Sequence, residues 1–366
     1  MNVLDFIQQG QEGRNLGLPL ACPKLTSQLG GLKRGTYYVI GAEQKVGKTA
    51  FTVEQFLLGP LLYDLKTPIT YFFFATEMTR IKTELGCIAY LAKRLFNSKL
   101  SVQLLSGQIR DVDNKLVKLT DSQLIQIDFI YRQYIIPIFG RFDRRNVLQE
   151  PRNTFYDGIQ ESERIVRYFD YSENPTGIRN ILLEEMKKDG EIHYKQMGTT
   201  KLIEGYSSNY PGWFYVTIID HIRGLVRERG YSMKENIDKM SQYCKDLRNI
   251  FNISWVVNVH LNRSNNDVHR LKLLGNNMYP NTESFKDSGN PSEDADVVIT
   301  MLNPTDDKYG FKGVHMRFSY LPYMTHGNYR SVHVTEDRDN QSPVHLGFEF
   351  DGAAKHFTFI TKLPPE

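Results

Sequence analysis

Cysteine is scarce in this chain. Its three thiols in 366 residues, Cys22, Cys87 and Cys244, are odd in number, far apart and outside any C-x-x-C spacing, which supports neither a disulfide framework nor a cysteine zinc site. Long apolar runs are also missing, since no stretch reaches the roughly 20 residues that a membrane-spanning helix needs. The first residues, Met1 to Gly17, carry Asp5, Glu12 and several glutamines where a secretion signal would be apolar. Neither sign of charge dominates: 45 Lys and Arg against 42 Asp and Glu leave +3, too mild to mark a nucleic-acid binder, so charge has to be read locally. No repeat, low-complexity segment or Gly/Ser linker divides the chain. These absences point to a cytoplasmic protein with one principal domain, away from membranes.

What is present is the composition of a globular protein, 40% hydrophobic and 24% charged. Apolar runs at Thr36–Ala42 and Ile69–Ala75 alternate with helical patterns, one starting at Lys48 and one over Thr79–Phe96. Further runs follow at Trp213–Ile219 and Ile253–Val259. Between them Ile237, Met240, Tyr243, Cys244 and Leu247 recur at helical spacing within Ser232–Ile250. Unbroken apolar strands separated by helices predict an α/β fold with a mostly parallel sheet covered on both faces. From Asp296 onward strands predominate, with candidates at Val297–Leu302, His315–Leu321, Arg330–Thr335, His345–Phe350 and His356–Ile360, predicting a β-rich C-terminal extension. The stretch Asn97–Pro211 is the least regular and carries no nameable motif; it reads as an elaboration packed on one edge of the sheet.

The segment Ala42-Glu43-Gln44-Lys45-Val46-Gly47-Lys48-Thr49 follows a strand and opens a helix, the setting in which Gly-Lys-Thr forms a phosphate-binding loop. Successive backbone N–H groups in such a turn converge on a phosphate. Lys48 would reach the β- and γ-phosphates of a nucleoside triphosphate, and the Thr49 hydroxyl would help hold Mg²⁺. Ala42 stands where the usual pattern has glycine, and Gly41 comes one place too early. Asp220 closes the run Trp213–Ile219, so it emerges at a strand's carboxyl end, where open α/β sheets place ligands; it is the candidate carboxylate for magnesium. Glu77, just past the strand ending at Ala75, belongs to the same rim as candidate general base for water. A plainer role for Glu77 is that of a carboxylate ahead of a helix beginning near Thr79.

These pieces, in this order, resemble the ATPase domain of the hexameric replicative DNA helicases of the DnaB family, within the RecA-like group. Gly30-Gly31-Leu32-Lys33-Arg34-Gly35 is similar to the family's lead-in sequence. Ala42 to Phe51 is similar to its P-loop, where alanine commonly stands first. Ala75-Thr76-Glu77-Met78 resembles its Ser-Leu-Glu-Met, Ile219-Asp220-His221 its Ile-Asp-Tyr, and His260-Leu261-Asn262-Arg263 its Gln-Leu-Asn-Arg. Ser288-Gly289 with Glu293-Asp294-Ala295-Asp296-Val297-Val298 is close to its Ser-Gly…Gln-Asp-Ala-Asp-Val-Val.

The resemblance implies a RecA-like P-loop core over residues 25–366, elaborated at about 97–211, behind an N-terminal arm or linker helix over 1–24. Val3, Phe6 and Ile7 of that arm would dock on an adjacent subunit or fold back on their own domain. It implies an ATP- and Mg²⁺-dependent helicase translocating on single-stranded DNA as a homo-oligomeric, hexameric ring. It further implies a compact phage-type member without the N-terminal primase-binding domain, with a primase or helicase loader as candidate further partner. The implied nucleotide contacts are Ala42, Lys45, Val46, Gly47, Lys48, Thr49 and Ala50. Thr49 and Asp220 serve the metal, Lys48, Glu77 and Asp220 serve catalysis, and His260 is the phosphate sensor in place of the usual glutamine.

Arg338, in Glu336-Asp337-Arg338, stands where the family has the arginine finger that reaches a neighbour's nucleotide. Glu336, however, replaces a lysine. Either Arg338 works alone, or the register differs and Arg330 is the finger, or catalysis across the interface is weak. Arg223, Arg227 and Arg229 follow one strand, and Arg263, Arg270 and Lys272 follow another; both groups are candidates for DNA backbone contacts or are ordinary solvated charges. Two other readings stay open: a RecA-like ATPase for recombination, packaging or regulation without unwinding, and a nucleotide-binding assembly protein that has lost hydrolysis.

Overall fold

A computed structural model describes residues 3–13, 15–140, 164–210, 212–261, 279–282, 284–285, 291–304, 314–315, 318–319 and 328–362. Its strands, in chain order, are β1 (Tyr37–Ala42), β2 (Ile69–Phe74), β3 (Arg164–Phe169), β4 (Gly190–Met197), β5 (Thr200–Ser208), β6 (Phe214–Ile219), β7 (Ser254–His260) and β8 (Val297–Leu302). They are followed by β9 (Val314–His315), β10 (Phe318–Ser319), β11 (Tyr329–Asp337), β12 (Val344–Asp351) and β13 (His356–Lys362). One nine-stranded sheet has the order β13-β12-β11-β8-β1-β7-β6-β2-β3. The six strands from β8 to β3 run parallel, and β11, β12 and β13 add an antiparallel extension beyond β8.

Every residue of β1, β2, β6 and β8 is buried. Parallel strands covered on both faces have no side that tolerates polar alternation, which is why these segments read as continuous apolar runs. Alternate residues feed two cores. Tyr38, Ile40 and Ala42 join the one containing Phe51 and Phe56, while Tyr37 and Val39 join the one containing Met240 and Leu247.

Among the described residues the α-helices are α1 (Val3–Gln11), α2 (Pro23–Leu29), α3 (Lys48–Thr52), α4 (Gly59–Tyr63), α5 (Arg80–Phe96), α6 (Val102–Leu105), α7 (Asp121–Ile130), α8 (Ile136–Phe139), α9 (Pro175–Asp189), α10 (Met233–Phe251) and α11 (Pro291–Asp294). A π-helical stretch, Val53–Leu58, joins α3 to α4. A capping box between Ser232 and Glu235 starts α10, and Ile237, Met240, Cys244 and Leu247 are buried at the expected spacing. Asn252 ends it in the left-handed conformation. On α1, Val3, Leu4 and Ile7 are exposed, whereas Leu18, Leu20 and Cys22 are buried in the core.

The irregular stretch 97–211 does more than pack on an edge. It supplies β3, the terminal strand of the main sheet beside β2, and then α9 and the antiparallel β4–β5 hairpin. A second departure concerns the strand expected at His315–Leu321. Among the described residues it is represented by β9 and β10, which pair with each other and not with the main sheet.

The C-terminal strands buttress the helix that follows β1. Glu54, buried in the π-helical stretch, accepts from the Phe357 backbone N–H at 2.7 Å and faces His356 Nδ1 at 2.9 Å. Phe51 makes edge contacts with Phe348 and Phe357. At the opposite end of the sheet, the Asp296 carboxylate accepts from the Tyr37 N–H at 2.8 Å and pairs with Arg248 of α10 and with Arg338 at 3.3 Å. Its neighbour Asp294 holds Ser241 and Lys245 of the same helix. Asp296→Ala would leave a largely buried guanidinium without its carboxylate, and stability should fall by about 2–4 kcal/mol. A urea midpoint unchanged from the parent protein would show that this carboxylate does not fasten α10 to β1.

Candidate active site

Four loops meet at the carboxyl ends of β1, β7, β6 and β2. The chain leaves β1 at Ala42 and turns at Gly47, whose φ of +106° and two aromatic neighbours exclude a side chain. A Cβ there would stand 2.9 Å from Phe350 and 3.1 Å from Phe357. Lys45 also takes a left-handed conformation, φ +64°. Gly41 has a different reason to be glycine, since a Cβ at that position would overlap Phe285 and Leu261. Its offset from the usual motif position thus reflects packing behind the loop, and Ala42 is accommodated at the end of β1.

Lys48 opens α3 and is buried. Its ammonium lies 3.1 Å from the Val259 carbonyl and 3.2 Å from His260 Nδ1. Burial lowers its pKa to about 8, opposed by the charges of Asp220 and Glu77. Asp220, directly after β6, is 1% exposed. Burial raises its pKa, and the Thr49 hydroxyl and Lys48 act in the other direction. A relay holds its position: Thr52 Oγ1 donates to Asn258 Oδ1 at 2.7 Å, and Asn258 Nδ2 donates to Asp220 Oδ1 at 3.4 Å. The second oxygen, Oδ2, is buried with no hydrogen-bond partner among the described residues. An orphaned carboxylate oxygen beside a threonine hydroxyl suits a hydrated Mg²⁺, a hard cation that keeps several waters.

Glu77 follows β2 and is half exposed. Its Oε1 lies 3.7 Å from His260 Nε2 and 3.8 Å from His221 Nε2. The two imidazole rings stand 3.9 Å apart. Burial is the first cause lowering the pKa of each histidine, with Lys48 next, and His221 falls to about 3. The His221 ring is therefore neutral at neutral pH. Glu43, Lys45, Lys48, Thr49, Glu77 and His260 are among the residues lining a cavity of about 250 Å³ that continues past Val53 to Tyr90 and Phe350.

The remaining candidates divide. Val46 and Ala50 lie in the turn and first helical turn with Gly47, Lys48 and Thr49. Arg223, Arg227 and Arg229 lie in the segment after β6, where Arg223 and Arg227 are exposed and Arg229 is at the surface of the same loop. Arg263, Arg270 and Lys272, like Ser288 and Gly289, lie outside the described residues. Arg338 stands at the end of β11, beside Asp296 at the start of β8, and its guanidinium also donates to the Glu293 carbonyl at 3.3 Å. This is the far end of the sheet from the Gly47 turn of its own chain, as the parallel register of β8 with β1 requires.

Arg330, the alternative finger, is buried and donates to the Val46 carbonyl at 2.9 Å and to Asn303 at 3.0 Å. It braces the Val46–Gly47 turn of its own chain, which corrects the reading of Arg330 as a residue reaching a neighbour. Sequence reasoning also passed over Asn258 and the side chain of His221. The signal for Asn258 was its amide inside the otherwise apolar run Trp255–Val259.

Fold and rim together define an α/β protein whose candidate catalytic groups sit at the carboxyl ends of the parallel strands. No family model and no curated protein matches the sequence. Among solved structures the chain is similar to a DnaB-like replicative helicase, described with its interactions with primase, at 15% identity and a TM-score of 0.64. That match covers 97% of this chain and 67% of the helicase. It is likewise similar to the separately solved ATPase domain of a second helicase at 15% identity and a TM-score of 0.64, covering 98% of this chain and 97% of that domain. The chain has the fold of these helicase ATPase domains.

The buried ammonium carries a pH test. A triphosphate placed on Lys48 favours its charged form, so the pKa of about 8 rises on binding. Affinity should be full below that value and fall as pH rises through it, with up to one proton taken up per nucleotide. Calorimetric titration with a non-hydrolysable ATP analogue between about pH 7 and 10, in buffers of different ionisation enthalpy, reads this directly. Proton release, or affinity constant across that range, would contradict it.

Proposed function

We propose that this protein is a Mg²⁺-dependent ATP hydrolase that drives a DNA helicase, translocating on single-stranded DNA as a ring of identical subunits. The observation that carries the proposal is the convergence of Lys48, Thr49, Asp220, Glu77 and His260 on one rim of the sheet. Each supplies a different requirement of phosphoryl transfer to water. The backbone N–H groups around Gly47 and the ammonium of Lys48 bind and orient the phosphates. Thr49 and Asp220 would hold Mg²⁺, which when bound neutralises charge on the phosphate oxygens. Glu77 accepts the proton of the attacking water. His260, beside Lys48, donates to a γ-phosphate oxygen and registers its loss.

The helicase part of the proposal draws on the fold of the two structural relatives, one of them a DnaB-like replicative helicase, and on the motif order. The exposed apolar residues Val3, Leu4 and Ile7 of α1 suit docking on a neighbouring copy, and Arg338, exposed at the far end of the sheet, is proposed to meet a neighbour's nucleotide. A hexamer follows from the family resemblance, as does a primase or loader as further partner. Arg223, Arg227 and Arg229 are proposed to track the phosphate backbone of single-stranded DNA.

The purified protein should hydrolyse ATP faster with single-stranded DNA present and displace a strand from a forked duplex. Glu77→Gln should abolish turnover while nucleotide binding persists. DNA-stimulated hydrolysis with no strand displaced on any fork geometry would instead favour a RecA-like ATPase without unwinding. Binding without turnover in the parent protein would favour the assembly reading. For the arginine loop, replacing all three with alanine should weaken binding without altering sequence preference. At about 0.7 per phosphate contact, the slope of log affinity against log salt should drop by roughly 2. An unchanged slope would place these arginines away from the DNA.

A further inference from the structure

His221 immediately follows Asp220, faces the base Glu77, and has no part in the mechanism above. It is 3% exposed, and its two ring nitrogens have different surroundings. Nδ1 accepts a hydrogen bond from the Arg223 backbone N–H at 3.0 Å. A backbone amide can only donate, so Nδ1 carries a lone pair, and the proton of the neutral ring resides on Nε2. That Nε2–H is buried, has no hydrogen-bond partner among the described residues, and lies 3.8 Å from Glu77 Oε1.

One nitrogen of each of His221 and His260, together with a Glu77 oxygen, lie within 4.8 Å of one another. Such a trio suggests a transition-metal site, but a nitrogen that holds a proton has no lone pair to offer a metal. The separations are instead too long for direct hydrogen bonds and suited to a shared oxygen. At 3.8 Å from His221 Nε2, Glu77 Oε1 stands where one water oxygen would lie about 2.8 Å from each of the two.

We infer that His221 is a further catalytic residue: its Nε2–H donates to the attacking water and, with Glu77, fixes that water's orientation. This rests on the hydrolytic reading given above. The water gives one hydrogen to Glu77 Oε1 and accepts the Nε2–H of His221 on one lone pair. Its other lone pair is left to face the γ-phosphorus. As the water oxygen bonds to phosphorus, the bond to the bridging oxygen of the ADP leaving group breaks and a water proton passes to Glu77. His221 keeps its own proton throughout. An acceptor at Nδ1, fixed by the turn of residues 221–223, is therefore what aims a donor at the reacting atom. A tyrosine, the residue that the family resemblance places here, also presents a donor, at the end of a longer side chain.

Two substitutions separate this role from a structural one. In His221→Asn the side-chain oxygen takes over the place of Nδ1 and keeps the turn, but the donor toward Glu77 is lost. In His221→Gln the amide N–H reaches the place of Nε2. With the full-length protein, His221→Asn should lower kcat for ATP hydrolysis by about 10–100-fold, in keeping with the loss of one preorganised donor. Affinity for a non-hydrolysable ATP analogue should stay within about twofold, and His221→Gln should restore most of kcat.

Unchanged kcat in His221→Asn, while Glu77→Gln is inactive, would overturn this role for His221 and leave the hydrolytic reading intact. Equal loss in both variants, with analogue affinity and thermal stability falling alongside, would reduce His221 to a turn residue. Zinc added to saturating Mg²⁺-ATP that inhibits the parent at micromolar concentration but spares His221→Asn would show Nε2 binding metal without its proton, and would also overturn the role. A parent protein with no turnover at all would remove the hydrolytic reading and this one together.

Discussion

With a φ of +106° and the rings of Phe350 and Phe357 where a side chain would stand, Gly47 fixes the direction in which the chain leaves β1. That direction decides what α3 presents to the rim. Lys48 is turned inward against the Val259 carbonyl and His260, and Thr49 is turned toward Asp220. The antiparallel extension is what holds this turn. Arg330 of β11 grips the Val46 carbonyl, Phe350 of β12 closes over Gly47, and the Glu54 carboxylate ties β13 to the helical segment after the turn. The C-terminal strands thus set the Gly47 turn, although they contribute none of the proposed catalytic groups at this rim.

Electrostatics at the rim follow from the same enclosure. Lys48, Asp220 and His221 are all desolvated, and each is displaced toward its neutral form. A site in that state gains when a polyanion and a divalent cation arrive together, because each restores the charged form of a buried partner. Glu77 is the exception, half exposed at the mouth, where solvent water reaches it. This division into closed groups and one open carboxylate suits the proposed hydrolysis, in which the closed groups would bind and Glu77 would act as base.

Much of the plan was legible in the sequence because parallel strands buried on both faces leave unbroken apolar runs. The residue that ends such a run then lies at the ligand-binding rim. Asp220, Glu77 and His260 were placed by that rule, and the structure brings them onto one rim with Lys48. The rule is silent where a role depends on pairing across distant sequence. Arg330 stands at the Gly47 turn and Arg338 at the opposite end because β11 runs antiparallel to β8 with a bulge between Val334 and Glu336, which no local pattern announces. β3 escaped notice because Arg164 and Arg167 interrupt its apolar residues, as an edge strand permits. The tautomer of His221 depends on a single backbone N–H two residues on. The acidic residues Asp294 and Asp296, drawn from the last of the motifs, hold α10 at the end of the sheet remote from the rim.

The central claim is that one triphosphate lies along the Gly47 turn with its metal between Thr49 and Asp220. A structure of the assembled protein with Mg²⁺ and a non-hydrolysable ATP analogue tests it most directly. The phosphates are expected on the backbone N–H groups of residues 47–49, the γ-phosphate between Lys48 and His260, and Mg²⁺ held by the Thr49 hydroxyl with Asp220 Oδ2 in its hydration shell. A nucleotide seated elsewhere, or a metal bound among Glu77, His221 and His260, would contradict it.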